Sequence, residues 1–250
     1  MKLYSINAGH FKLDGGAMFG VVPKSIWNKI NPADENNMCS WALRCLLIED
    51  GKRLILVDNG MGNKQDAKFF GHYYLHGNDT LDSSLSQHGF TADDITDVFL
   101  THLHFDHCGG SIARQGDLLV PAFRNATYWS NREHWDWAVH PNAREKASFL
   151  TENILPIQES GQLKFIDVPQ AADPLLASVP FAEDFTIRFA NGHTRAMMLP
   201  QLRYKGKTIV FMADLLPSLG HLPLPYVMAY DTTPLVTLNE KKSFLQEAVA

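Results

Sequence analysis

Apolar residues concentrate at 43–48 and again at 53–57, on either side of Glu49-Asp50-Gly51-Lys52. Short apolar runs flanking an Asp-Gly pair predict a β-hairpin. Positions 81–88 carry apolar residues at helical spacing, and Gly89 suits the residue that ends a helix. A short β-branched and aromatic run at 95–100 predicts a buried strand. Residues 128–155 are rich in Trp, His, Glu and Arg with helical periodicity, broken near Pro141 and closed by Pro156. Further strands are predicted at 163–168, 185–190, 197–204 and 208–213, with Lys205-Gly206-Lys207 turning between the last two. Thr237-Leu-Asn-Glu240 has the form of a capping box, opening a helix that runs to Ala250.

Composition bounds what such a chain can be. With 250 residues, 45% of them hydrophobic, it can bury one large core or two small ones. No linker, repeat or low-complexity stretch divides it, so a single domain over 1–250 is expected. Its 22 basic against 27 acidic residues give a net charge of −5 with no basic stripe, which argues against a nucleic-acid partner. No apolar run approaches the roughly 20 residues of a membrane span, and no signal-like apolar region follows Met1. Cys39, Cys45 and Cys108 are odd in number and scattered, so no disulfide framework is expected. These features together predict a cytoplasmic protein without a membrane partner.

The chemistry is concentrated at 101–110, Thr-His-Leu-His-Phe-Asp-His-Cys-Gly-Gly. Imidazole and carboxylate are the ligands that divalent transition metals take from hydrolases. His102, His104, Asp106 and His107 crowd into six positions, too many for one tetrahedral site that must also admit substrate. Two adjacent metals fit the crowding better and imply an activated water. Gly109 and Gly110 allow a tight turn or close backbone approach after the loop. Cys108 beside the ligands reads as a small buried packing residue.

His102-Leu-His104-Phe-Asp106-His107 resembles the His-x-His-x-Asp-His signature of the metallo-β-lactamase superfamily. The rest of the chain fits that pattern in order. Asp58-Asn-Gly60 resembles the family's Asp-x-Gly loop, in which the aspartate supports the metal loop rather than binding metal. Asn191-Gly-His193-Thr194 resembles its Gly-His-Thr, and Phe211-Met-Ala213-Asp214 the strand that ends in a bridging aspartate. The resemblance implies an α/β fold, a four-layer αβ/βα sandwich of two mixed sheets with outer helices. It also implies two divalent ions, zinc being expected. His102, His104 and His193 would hold one, Asp106 and His107 the other, and Asp214 would join them. Asp214 read alone could instead cap a helix, since Leu215-Leu216 follow, but Pro217 argues against a long one.

The family's final histidine, expected several tens of residues after Asp214, is missing. Only His221 follows, so the last strand and its ligand are expected beyond residue 250, with His221 as the alternative ligand. The stretch from Leu13 to Lys24, together with Trp41–Ile48 and Asp214–Pro225, is similar to a branch containing N-acyl-homoserine lactonases and organophosphate hydrolases. Some lactonases place a tyrosine three residues after the bridging aspartate. Pro217 stands there, which leaves Tyr226 or Tyr230 to polarise a substrate carbonyl. The resemblance implies a metal-bound hydroxide that opens a lactone or cleaves a related ester, with Asp106 and Asp214 as the catalytic carboxylates. Alternatives within it are a phosphotriester hydrolase and an iron-dependent thiol dioxygenase. Phe19, Trp41, His221 and Tyr226 are candidates for the pocket of a small-molecule substrate, with Trp27, Phe69, Trp135 and Trp137 as further aromatics that core packing would equally explain. A homodimer is a family-level expectation.

Overall fold

The Asp50-Gly51 turn forms as the pattern predicts, with Gly51 at a φ of 60°, joining strands that pair antiparallel from Leu46↔Val57 to Asp50↔Arg53. The computed structural model describes residues 1–170, 175 and 177–249. These fall into two units, one of Met1–Phe11 with Trp41–Ile166, the other of Lys12–Ser40 with Asp167–Ala250. Ala250, the expected end of the last helix, lies outside the described residues.

The first unit is organised by β1 (Lys2–Asp14), β2 (Met38–Asp50), β3 (Arg53–Val57), β4 (Asp97–Phe99), β5 (Ile112–Gln115), β6 (Leu118–Pro121), β7 (Thr127–Asn131) and β8 (Leu163–Ile166). Six of them form one sheet in the order β1-β2-β3-β4-β7-β8, parallel from β3 to β8, while β5 and β6 make a separate hairpin. Ile6, Leu47, Leu56, Val98, Leu100, Tyr128 and Trp135 belong to its core. The helix expected from residue 81 runs Leu81–Gln87, capped by Thr80 and followed by Gly89 at φ 82°.

Two expectations fail in this unit for identifiable reasons. Residues 128–131 are strand, not helix, because the Thr-Tyr-Trp start of β7 is strand-prone and pairs on both sides, Val98↔Tyr128 and Tyr128↔Leu163. The helix begins only at Arg132, where the Asn131 side chain accepts from His134 N–H. Pro156 does not close the next helix but lies within it, in Thr151–Glu159. Its ring is buried, and the helix gives up a single backbone donor to accommodate it.

The second unit holds β9 (Val179–Ala182), β10 (Phe185–Ala190), β11 (Met197–Tyr204) and β12 (Lys207–Val210), antiparallel in the order β12-β11-β10-β9. Its last strand is shorter than expected and stops at Val210, before a turn in which Ala213 takes φ 42°. Ala190, Met197, Leu199 and Leu215 form its core with Phe244 against them. The C-terminal helix, Pro234–Ala248, starts earlier than the capping-box reading placed it, with proline in its first turn. Thr237 and Glu240 therefore sit inside it, and the Glu240 carboxylate accepts the N–H groups of Asn191 and Gly192. Among the described residues no helix is long and apolar enough to cross a membrane.

That helix carries Lys241, whose side chain is fully buried and donates to the carbonyls of Pro223 (2.7 Å), Leu224 (3.4 Å) and Tyr226 (3.0 Å). Burial pulls its ammonium down from 10.5 to about 8. The depressed folded value means that, between about pH 8 and 10.5, the unfolded chain binds more protons than the folded one. Stability toward urea should therefore gain from Lys241 as pH rises through that window. In Lys241→Met this contribution should vanish, and an unchanged pH slope in the variant would contradict it.

Candidate metal centre

β3 and β4 are parallel neighbours, with Val57 opposite Phe99, so both strands deliver their following loops to the same edge of the sheet. Asp58 leaves β3 with a left-handed φ of 56° and donates its N–H to the Phe99 carbonyl at 2.9 Å. Asp tolerates that conformation better than most residues. Its Oδ1 accepts the Thr101 N–H at 2.8 Å, and its Oδ2 meets the Thr101 hydroxyl at 2.8 Å and His107 Nδ1 at 2.9 Å. Burial pushes the Asp58 carboxyl upward, and the bonds from His107 and Thr101 oppose that push. Backbone packs on backbone beyond it: Asn59 N–H donates to His107 O and Gly110 N–H to Gly60 O. A Cβ on Gly109 would lie 2.2 Å from Met61 O, and one on Gly110 2.3 Å from Asn59 O. The buried Lys64 ammonium donates to Gly109 O from the same side. The loop after β3 is thus a brace for the loop after β4.

The braced loop gathers the histidines. The His102 ring centroid is 4.6 Å from that of His104 and 4.0 Å from that of His107, and His102 offers a nitrogen within 4.8 Å of one on each. Asp106 Oδ2 lies 3.6 Å from His107 Nε2, on the short helix Phe105–Cys108. Oxygens back these rings at their other nitrogens. Thr101 Oγ1 sits 3.1 Å from His102 Nδ1, Glu145 Oε1 3.3 Å from His104 Nε2, and Asp58 Oδ2 behind His107 Nδ1. The Thr101 hydroxyl has one proton, directed to the Asp58 carboxylate, so it accepts from His102 Nδ1–H and leaves the Nε2 lone pair for a ligand role. Cys108 is fully buried, donates to Leu103 O at 3.3 Å, and is pushed well up by burial, as befits a packing residue.

In the second unit His193 is held in the same manner. Its Nδ1 is 2.8 Å from the buried Asp231 carboxylate, and its Nε2 is 3.3 Å from Asp214 Oδ2. Glu240 accepts the N–H groups of Asn191 (2.6 Å) and Gly192 (3.0 Å), while Thr232 and Thr233 donate theirs to the carbonyls of His193 and Gly192. A Cβ on Gly192 would come within 2.2 Å of the Thr237 hydroxyl, so only glycine lets the helix approach this closely. Asp214 is half-buried on a single 3₁₀ turn, Ala213–Leu215, not on a longer helix that it would cap.

The predicted pocket residues fare differently. Phe19 is fully buried and stacked between Trp27 (5.2 Å) and His221 (4.6 Å), both at 8°. His221 has Nδ1 2.8 Å from Ser218 Oγ and Nε2 2.8 Å from Met18 O, so both ring nitrogens are committed to protein oxygens. As an alternative metal ligand it is therefore corrected: it braces the Met18 and Ser218 loops. Tyr226 meets Phe19 edge-on at 6.3 Å, Trp41 is buried at 8% exposure, and Trp135 lies in the first unit's core. Phe69 packs on Phe105 of the histidine loop at 5.4 Å. Sequence reading missed the orienting contacts of Thr101, Glu145, Asp231 and Glu240; Glu145 and Asp231 are isolated polar residues with no motif around them.

Comparison with known proteins agrees with this arrangement. Residues 44–246 match the metallo-β-lactamase superfamily, and the chain belongs to it. It is 28% identical over 165 residues to the N-acyl homoserine lactonase AiiA of Bacillus thuringiensis subsp. kurstaki, covering 62% of this chain and 56% of the relative. The match thus spans little more than half the length of that lactonase. A probable metal-dependent hydrolase from Staphylococcus aureus superposes with a TM-score of 0.87 at 26% identity, covering 98% of this chain and 84% of the other. AidC, a dizinc quorum-quenching lactonase solved in complex with a product, superposes at 0.75 with 24% identity, over 98% of this chain and 82% of that one. The fold is accordingly the metallo-β-lactamase fold, which the histidine loop had suggested.

Proposed function

We propose that the chain is a metal-dependent hydrolase that opens a lactone or cleaves a related ester at a dinuclear centre. The observation that carries this reading is the backing of all four histidines: each has one ring nitrogen against a side-chain oxygen, three of them carboxylates. Metal-ligating imidazoles are oriented in this way, and the backing makes them better donors. The donor set of imidazoles and carboxylates fits a divalent ion such as zinc. His102, His104 and His193 are assigned to one ion, Asp106 and His107 to the other, and Asp214 to both. Two such ions, when bound, would acidify a water held there toward neutral pH and polarise the oxygen of the group under attack.

The chain's own residues supply the remainder. Asp106, on the short helix beside His107, is assigned the proton transfer to the leaving alkoxide. Asp58 and Asp231 hold their histidines as Nδ1–H tautomers, so that Nε2 keeps its lone pair. No seryl or cysteinyl nucleophile is needed, and Cys108 is too deeply buried to act as one. Kinship to an N-acyl homoserine lactonase supports the lactone as substrate class.

The test is a hydrolysis screen of zinc-loaded protein on an N-acyl homoserine lactone, an aryl ester and a phosphotriester, with and without chelator. Lactone opening that stops with chelator and returns with zinc is expected. Turnover of the phosphotriester alone would move the substrate to that class. No chelator-sensitive turnover of any of the three would overturn the proposal.

A further inference from the structure

We propose that Glu145 is a positioning residue of this centre, selecting the tautomer of His104 in which Nδ1 is left to bind the metal. The inference rests on the dinuclear reading above. Glu145 is only 3% exposed, and its two oxygens face different partners. Oε2 accepts the Trp137 indole N–H at 2.7 Å and an Asn142 amide N–H at 2.7 Å. Neither donor can reverse its role. An indole nitrogen only donates, and the Asn142 oxygen already accepts the backbone N–H groups of Arg144 (2.9 Å) and Glu145 (3.1 Å), which turns its NH₂ toward Oε2. Oε1 is thereby presented to His104 Nε2 at 3.3 Å. A carboxylate oxygen accepts, so the ring carries its proton on Nε2 and its lone pair on Nδ1. His102, behind which Thr101 stands at Nδ1, takes the opposite tautomer.

The surrounding contacts show that this segment is built to grip the histidine loop. Leu103 N–H donates to His134 Nε2 at 2.9 Å, and Phe105 N–H donates to Ser148 O at 3.0 Å. Leu103, His104 and Phe105 are thus anchored at three consecutive positions by residues 134–148. The outer two anchors hold backbone; the middle one holds a ligand ring and brings a carboxylate behind it. An anion behind one imidazole strengthens that ring as a donor, and loss of such a partner costs roughly 10- to 100-fold in metal affinity. The effect should fall on the ion held by His104 and spare the one held by His107, which has its own carboxylate in Asp58.

Glu145→Gln tests this sharply. The Trp137 and Asn142 donors demand the amide oxygen at the Oε2 position, which puts the NH₂ against His104 Nε2, donor against donor. The ring can relieve this only by moving its proton to Nδ1, where it blocks the metal. Titration of metal-free protein with Zn²⁺ against a chromophoric chelator should show one of two binding steps weakened roughly 10- to 100-fold and the other unchanged. Imidazole ¹⁵N shifts should report Nε2–H at His104 in the metal-free wild type and Nδ1–H in the variant, with the melting temperature moved by no more than about 2–4 °C. Should Glu145→Gln fail to fold, Trp137→Phe removes one of the two fixing donors and should weaken the same step by less. Two unaltered steps in the folded variant, or equal weakening of both, would overturn the role of Glu145 alone. A wild-type protein that takes up no zinc would defeat the dinuclear reading and this inference together.

Discussion

Asp214→Ala is expected to lower hydrolysis at least about 10³-fold, the equivalent of roughly 4 kcal/mol of transition-state stabilisation, while barely disturbing the metal-free fold. Asp214 is half-buried on one 3₁₀ turn, and its contact with His193 Nε2 is 3.3 Å long. Truncating such a side chain usually moves stability by less than about 0.5–1 kcal/mol. Its proposed role, by contrast, is to carry negative charge between two cations. Thermal melts separate the two effects. Zinc should raise the wild-type melting temperature, because an ion that binds only the folded chain stabilises it by mass action. In Asp214→Ala the rise should shrink or vanish, with the metal-free melting temperature almost unmoved. A variant that keeps wild-type turnover and the full zinc-dependent rise would remove Asp214 from the site.

Asp58→Asn should damage the protein by a different route, losing about 2–4 kcal/mol of stability and most of its activity. Three donors converge on Asp58: the Thr101 N–H and hydroxyl, and His107 Nδ1. An amide has one acceptor atom, so either orientation points an NH₂ at a donor in a buried site. Asparagine tolerates the left-handed φ of 56° as well as aspartate does, which confines the loss to the hydrogen bonds. Urea unfolding of metal-free protein measures the first effect and turnover at saturating zinc the second. Wild-type stability in Asp58→Asn would show that the loop after β3 is no brace.

The ligand loop was legible because its chemistry is local: four donors within six residues at the end of a recognisable strand. His193 and Asp214 were legible only through their neighbours, Gly192 and the apolar run before Ala213. Apart from Asp58, the groups that orient these ligands were not legible. Glu145 lies 41 positions from His104 and Asp231 38 from His193, and only folding pairs them. The same limit explains the errors of fold. Residues 128–131 carry a helical spacing of apolar groups, yet parallel pairing on both sides decides for strand. β1 carries no clean alternation to mark it, since most of its thirteen residues are only partly buried. Thr237 and Glu240 match a capping box in spacing, but Pro234 starts the helix one turn earlier and frees Glu240 to hold the His193 loop.

Anomalous diffraction at the zinc absorption edge, on crystals of the zinc-loaded protein, tests most directly whether the His102 loop and His193 serve one centre. Two peaks about 3.5–4 Å apart are predicted, one within bonding distance of His102, His104 and His193, the other of Asp106 and His107, with Asp214 reaching both. A single peak, or a pair whose coordination omits His193, would contradict it.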